Sequence, residues 1–511
     1  FMDILREEQF FNGKGENDPA FSARDRINRA PKSLGFVVLS PRISITPAGQ
    51  ALLTSKRKEE VFLRQMLKFQ IPSPYHKPTA KAASFWVKPY LELLRLVRTM
   101  GTLKFDELQI FGMQLTDWRN FENIVQKIEA FRIAKVEHQG SYKAFKAEYL
   151  RNELTRIFEE RIMNGETQTR ESSDASLDKF LRTQSSNMRD YADACFRYLR
   201  ATGLVNVSHV GKSLSIVPER IEDVDYLLQT IDRSPCFIDN EKDYIEYLGN
   251  ATVPQLLTDD RQKLVAKLHA EFPQVVFNQE VEISELKDLL ADLTEQRKTD
   301  TLSRQVVEIK DYKLYDDIQN TFKQIENKEL YDAPLMLEWN TWRAMTMLDG
   351  GEIKANLNFD DFGKPLSTAQ GNMADIVCDY GDYMLIVEVT MASGQKQYDM
   401  EGEPVSRHLG KMKKTSGKPC YCLFIAPTIN EACIAHFYTL HRTNISYYGG
   451  KSTIIPLSLN VFQKMLEDSY KVNYIPDSHQ VRRFLEHSNE LVKNCTDENH
   501  WFEEINKSAV N

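Results

Sequence analysis

The chain has no apolar run approaching the roughly 18 residues of a membrane span, no C-x-x-C pair and no overall basic surplus. The first absence excludes a helical membrane anchor. The seven cysteines (Cys195, Cys236, Cys378, Cys420, Cys422, Cys433 and Cys495) are odd in number and scattered, which fits reduced thiols in a cytoplasmic compartment better than a disulfide framework or a zinc site. The opening "FMDILREEQFFNGKG" turns polar and acidic too early for a signal peptide. A net charge of -8 speaks against a simple nucleic-acid binder.

What is present is unevenly distributed. At 511 residues the chain exceeds one core, and its composition is that of a globular, multidomain protein. Residues 31–100 carry 12 Lys plus Arg against 3 Asp plus Glu, so this window holds about +9 while the remainder holds about -17. Such asymmetry is expected when one module meets phosphates and another gathers carboxylates, although a solvated basic face gives the same count.

Two stretches share one grammar. In "FSARDRINRAPKSLGFVVLSPRISITPAGQALL" a polar helix with Arg24, Arg26, Arg29 and Lys32 leads into two short β-rich pieces around Arg42. A helix then opens with Thr46 as N-cap and Pro47 at its first position. Later, "NMRDYADACFRYLRATGLVNVSHVGKSLSIVPERIEDVDYLL" runs from a helix with Arg189 to a hairpin turning at Lys212 and into another helix. Helix, two-stranded wing, helix is the winged variant of helix-turn-helix, used on DNA and as a protein-docking unit.

These signals divide the chain into a first winged module at 1–150, a second at 151–235, a charged helical linker at 236–325 and an α/β domain at 326–511. The whole is an α+β multidomain protein. In the last region "NMADIVCDYGDYMLIVEVT" reads as a hairpin, with Asp375 to Asp379 pairing Tyr383 to Thr390. Asp375 then lies beside Glu388, and an isolated ionised carboxylate in so apolar a strand would cost roughly several kcal/mol. Two adjacent carboxylates repel unless a cation joins them, and an oxygen-rich pocket suits Mg²⁺. Pairing with Arg or Lys in a structural network is the alternative.

Glu338 sits in the preceding amphipathic helix, in "LMLEWNTW". After the hairpin, "MASGQKQYDMEGEPVSRHLGKMKK" is expected to become helical at Pro404, with Glu401, Glu403 and His408 around the helix N-terminus, where an anion is also held. Helix, acidic hairpin, helix and the buried strand "CYCLFIAP" follow the order of the PD-(D/E)XK nucleases. Two positions depart from that motif: Ala374 stands where proline precedes the aspartate, and Thr390 where lysine follows the glutamate. Either the lysine's task of orienting or activating water passes to His408 or to Glu401 through a water, or the enzyme is silent. "YYGGKST" is no P-loop, because Ile445 occupies the first glycine position and a strand follows; "CTDENHW" lacks the second histidine strand of an HNH site.

Taken together, "FSARDR" with "GFVV", "VFLRQMLKFQIPS", "RDYADACFRYLRATGL", "EWNTW", "GNMADI", "VEVTMASG", "MEGEPVSRH", "YCLFIAP" and "IIPLSL" resemble the AlwI, PleI, MlyI and BstNBI group of restriction endonucleases. The resemblance runs from about residue 21 to about 460 and is weakest in the linker. It implies a bacterial, cytoplasmic Type IIS enzyme: an N-terminal half reads a short asymmetric DNA site, and a C-terminal half cuts a few bases away. By the same resemblance Glu338, Asp375, Glu388, Glu401 and His408 stand at active-site positions, and threonine after the glutamate belongs to the group's pattern. Asp375, Glu388 and the Val389 carbonyl are the expected Mg²⁺ ligands, with Mn²⁺ able to substitute. Arg24, Arg26, Arg29, Lys32, Arg42, Arg189 and Lys212 are the expected contacts to double-stranded DNA. One site cuts one strand, so a double-strand break requires a second copy or a small catalytic subunit. The competing reading is a catalytically silent DNA-binding regulator or obligate subunit.

Overall fold

Two helices of 16 and 22 residues and apolar strands of four to seven residues position the chemistry. The computed structural model describes residues 30–75, 85–169, 172, 174–348, 351–369, 371–471 and 478–509. Arg24, Arg26 and Arg29 lie outside the described residues. These residues divide into two units, one holding the chain up to 208 with 212–292, the other 209–211 with 293–511. No helix among them is long and apolar enough to cross a membrane. All seven cysteines are free.

The first unit starts with a small hairpin, β1 (Val37–Val38) against β2 (Ser44–Ile45), and helix α1 (Pro47–Thr54). Thr46 caps α1 by accepting the Gly49 amide at 3.0 Å, and Pro47 is the first helical residue, as the sequence indicates. Helices α2 (Lys58–Lys68) and α3 (Pro89–Met100) lead to β3 (Thr102–Lys104) and α4 (Phe105–Ile110). Then come α5 (Phe121–Glu137), α6 (Tyr142–Ile157), α7 (Glu159–Met163) and α8 (Leu177–Arg200). The expected hairpin after α8 forms from β4 (Val205–Ser208) and β5 (Ser213–Ile216). It gains a third strand that local pattern did not announce: β3 pairs with β5 across more than a hundred residues, burying Leu103, Val205 and Leu214.

Helices α9 (Ile221–Thr230), α10 (Glu241–Gly249) and α11 (Arg261–Glu271) precede α12 (Ile283–Lys310), inside which the unit boundary falls. The stretch expected as a linker is helical, but residues up to 292 pack into the first unit. The basic window explains this. The Lys68 ammonium donates to the carbonyls of Tyr247, Leu248 and Asn250 at 3.2, 2.9 and 2.6 Å. Arg64 holds Glu60 at 2.6 Å, Asp259 at 2.9 Å and the Thr252 carbonyl at 3.0 Å, and Lys287 adds Glu60 at 2.8 Å. Lys56 and Arg57 pair with Asp292 and Asp288. Four of the twelve cations counted as a phosphate footprint, Lys56, Arg57, Arg64 and Lys68, are therefore engaged with 247–292.

The second unit continues with α13 (Tyr315–Glu326) and α14 (Ala333–Leu348). Its strands are β6 (Glu352–Ala355), a side hairpin of β7 (Asn358–Phe359) and β8 (Pro365–Ser367), then β9 (Ile376–Asp379) and β10 (Met384–Val389). Helix α15 (Gln395–Ser416), β11 (Cys420–Ala426), α16 (Glu431–Arg442), β12 (Ile454–Ser458), α17 (Leu459–Lys471), α18 (Ser478–Asn494) and α19 (Glu498–Ser508) complete it. The sheet runs β12-β11-β10-β9-β6, parallel from β10 to β12 and antiparallel from β10 to β6. β10 and β11 lie inside the sheet and are almost wholly buried, which accounts for a composition that is apolar except at Glu388. α14 packs against β6 and β10, and α15 against β10 and β11.

Helix α15 begins nine residues before the expected Pro404, which lies inside it. Buried Gln397, Gly402, Val405 and Leu409 give this helix its packed face, and that packing outweighs the proline's missing N–H. Glu401, Glu403 and His408 thus lie within the helix and not around its N-terminus, so the helix end is not available to them.

Candidate active site at the ends of two antiparallel strands

The register brings the first two carboxylates together. Met384 pairs with Asp379 and Val387 with Ile376, so one step further Glu388 faces Asp375. The pair is tied across the strands: the Val389 amide donates to Asp375 Oδ2 at 2.8 Å, and the nearby Asp375 amide partly offsets the upward push on the Glu388 carboxyl. Asn356, just past β6, fixes the start of β9. Its amide donates to the Asp375 carbonyl at 2.9 Å and its Nδ2 to the Ala374 carbonyl at 2.7 Å.

Two helices bring the remaining groups. From α14, Glu338 is 3% exposed, and its Oε1 accepts the Ala369 amide at 2.8 Å. From α15, Glu401 and His408 lie seven residues apart, two helical turns along one face. His408 Nδ1 is 2.8 Å from Glu388 Oε1. Glu403 points elsewhere: it is exposed and paired with Arg407 at 3.2 Å. Glu401, not Glu403, is therefore the carboxylate whose charge reaches Glu388 and Asp375.

Four buried acids near this point are all raised from the ordinary carboxylate range, by burial first and in three of them also by another acid's charge. Burial, followed by the Glu388 charge, pushes Asp375 well above the usual carboxylate range. Burial and then Glu401 do the same to Glu388. Glu338 is pushed up to about 8 by burial and by Asp375. Glu401 is raised by burial against the opposing effect of a hydrogen bond from Thr390. His408 is pushed down to about 4, chiefly by burial and then by Arg407, and is neutral at neutral pH. In the tautomer whose Nδ1–H donates to Glu388, the neutral imidazole keeps an acceptor at Nε2, and that buried nitrogen has no hydrogen-bond partner among the described residues.

This chemistry fits a divalent cation. Adjacent buried carboxylates whose ionisation is suppressed by one another are stabilised when a cation is added. Among the described residues no three His, Cys, Asp or Glu side chains stand together as a ready-made ligand set. Two carboxylates and a main-chain carbonyl need no third side chain.

Of the expected DNA contacts, Lys32, Arg42, Arg189 and Lys212 lie among the described residues. Lys32 is half-buried with its ammonium 4.3 Å from the centre of the Tyr75 ring. Arg42 is exposed in the β1–β2 turn and Arg189 is exposed on α8. Lys212, in the β4–β5 turn, has φ 45°, and its carbonyl accepts the Phe105 amide at 2.7 Å.

Sequence reasoning passed over Asn356 and Gln397. Each is a single amide in a polar stretch, and neither spacing nor neighbours mark it. Thr390 was visible as a departure from the wider motif and, through the family resemblance, as part of the group's pattern.

No curated protein matches the chain. A solved structure of the small subunit (R.BspD6I2) of the heterodimeric restriction endonuclease R.BspD6I is similar at 23% identity and a TM-score of 0.33, over 38% of this chain and 98% of that one. The BpuJ1 endonuclease binding domain, in a complex with modified DNA, is similar at 14% identity and a TM-score of 0.30, over 46% and 80%. Restriction endonuclease FokI is similar at 12% identity and a TM-score of 0.23, over 91% and 82%. The family model described as AlwI restriction endonuclease matches residues 32–465. With most of its length covered by that model, the chain belongs to the AlwI restriction endonuclease family.

Proposed function

We propose that this chain is a Type IIS site-specific endonuclease that hydrolyses one phosphodiester of double-stranded DNA a few bases outside a short asymmetric site. The observation that carries the reading is the Asp375–Glu388 pair, with Glu338 and Glu401 raising the local density of buried negative charge. In this reading the second unit is a PD-(D/E)XK domain, and the two hairpin-bearing parts of the first unit are winged DNA-recognition modules. Arg42, Arg189 and Lys212 are offered as phosphate contacts on three separate elements.

Asp375, Glu388 and the Val389 carbonyl would hold Mg²⁺, or Mn²⁺ in its place. When bound, the cation supplies Lewis-acid stabilisation of phosphate charge and a lowered pKa for water. The protein's own work is positional. Val389 N–H orients Asp375, His408 orients Glu388, and the free Nε2 of His408 is an acceptor for a water or hydroxyl proton at the reacting end of the hairpin. Ala369 N–H steadies Glu338 beside Asp375.

One such site cuts one strand, and a double-strand break needs a second copy or a small catalytic subunit. Supercoiled plasmid with Mg²⁺ at low salt, where phosphate contacts persist, tests the reading. Wild type is expected to yield open-circle or linear DNA cut at fixed positions, and Asp375→Ala to bind without cutting. Plasmid left supercoiled by wild type in both Mg²⁺ and Mn²⁺ overturns catalysis by this chain and leaves the silent DNA-binding subunit.

A further inference from the structure

We propose that Asn356 is a positioning residue for the nuclease site, its side-chain amide turning the Ala374–Asp375 peptide so that Asp375 and Glu388 can share a divalent cation. The inference rests on the nuclease reading and adds a residue to it.

The strands set three residues in one row. Ala355 and Val387 both pair with Ile376, so one step further Asn356, Asp375 and Glu388 lie side by side at the ends of β6, β9 and β10. Asn356 is thus the neighbour of Asp375 on the side away from Glu388.

What Asn356 does there departs from a regular ladder. In an antiparallel sheet one residue turns both its backbone groups to one neighbouring strand, and the next residue turns its own to the other. Here two successive carbonyls turn to the same residue: the Asn356 amide donates to the Asp375 carbonyl at 2.9 Å, and Asn356 Nδ2 donates to the Ala374 carbonyl at 2.7 Å. A residue's main chain carries one donor, so the second bond needs a side chain that brings another. Asparagine brings it on a short arm. Aspartate, of the same shape, would set an oxygen against the carbonyl.

That second bond has a consequence for the site. A peptide unit is planar and trans, so its C=O and N–H point opposite ways. Holding the Ala374 carbonyl toward Asn356 turns the Asp375 N–H away from it, and β10 lies on that other side of β9. The Asp375 amide eases the upward push on the Glu388 carboxyl, in agreement with that orientation. On the same side Asp375 Oδ2 accepts the Val389 amide at 2.8 Å. Asp375 is therefore held from both flanks, its main chain by Asn356 and its carboxylate by Val389. The segment leading into it is fastened too: Ala374 is buried, and earlier in the same loop Ala369 gives its amide to Glu338 at 2.8 Å.

The test uses the full chain and two readings of Mg²⁺. One is the rate on a plasmid carrying its cleavage site; the other is the rise in melting temperature as Mg²⁺ is added to the protein alone. Asn356→Ala is expected to raise the Mg²⁺ concentration needed for half of each effect by about 10- to 100-fold, the usual cost of removing a group that orients a metal ligand, with KM for DNA unchanged. Asn358→Ala, which removes a side-chain bond to Ser367 in the β7–β8 hairpin, is expected to change neither. Where the Ala variant does not stay folded, Asn356→Ser, too short to reach the Ala374 carbonyl, reads the same loss. An Asn356 variant that keeps the wild-type Mg²⁺ dependence in either reading overturns the proposal alone, and if it also melts lower in chelator, Asn356 serves only the sheet. A shift of the same size in Asn358→Ala overturns it as well. A wild type that neither cuts nor melts higher in Mg²⁺ overturns the nuclease reading and this proposal with it.

Discussion

Both units bury ionisable side chains, and they do so in opposite ways. In the first, Glu60 is surrounded by Arg64 and Lys287, and despite burial its carboxyl is held below the usual range; Asp259, bound to the same two cations, is lowered as well. In the second, Glu388 and Asp375 are buried with other acids and are driven up. Burial penalises both sets equally in kind. The partner decides the sign. A buried charge that has found its counter-charge fastens structure, whereas a group of like charges left without one marks a place kept for something that arrives later.

The largest test of this contrast is Asp375→Asn. It is expected to lower cleavage by roughly 10²–10³-fold or more, by the usual cost of losing charge stabilisation, while leaving the melting temperature unchanged or higher because one repelling acid is gone. A plasmid assay and a thermal melt on the same sample read both. A strongly destabilised variant would mean that the acids hold the fold and the contrast is false.

Next in size is Arg64→Met. Glu60 and Asp259 would keep their burial and lose a cation, which typically costs about 3–5 kcal/mol. Denaturant unfolding measures it, and the cutting rate per folded molecule is expected to hold.

A smaller effect separates the units by pH. Glu338, at about 8 in the folded chain against an ordinary 4.5, keeps a proton across that window that the unfolded chain has lost. The folded state binds more protons there, so stability falls as pH rises from about 4.5 to about 8. Glu60 and Asp259 run the other way: their contribution is complete above the ordinary carboxylate value and is lost as pH falls below it. Melts in chelator across pH 4–8 are expected to show the second unit weakening upward, with Glu338→Gln flattening that slope. Asp375, Glu388 and Glu401, raised in the same direction, keep part of the slope in place, so a slope in Glu338→Gln as steep as in wild type removes the assignment.

The smallest effect belongs to the half-exposed pair Lys418–Asp379 beside the β9–β10 turn, 2.8 Å apart. Lys418→Ala is expected to cost under about 1 kcal/mol and leave cutting unchanged. A larger loss would show that even the rim of the hairpin is bound up with the site.

What could be read from the chain was local. Thr46 with Pro47 announced a helix start, "LVNVS" and "SLSIVP" a hairpin, and the alternation around "YGD" the pair that places Asp375 by Glu388. Each depends on residues within a few positions of one another, where dihedral preference and period decide the outcome. The sequence by itself thus determined the acidic hairpin, its strand order and the residues available to it. Tertiary structure alone decided that α15 starts at Gln395, that Glu401 and not Glu403 turns inward, that β3 joins β5, and that Lys68 and Arg64 face carbonyls and carboxylates near residue 250. The reason is the same in each case. Those outcomes depend on which distant surface removes water from a side chain, and a charge count or a proline along the chain carries no information about that surface.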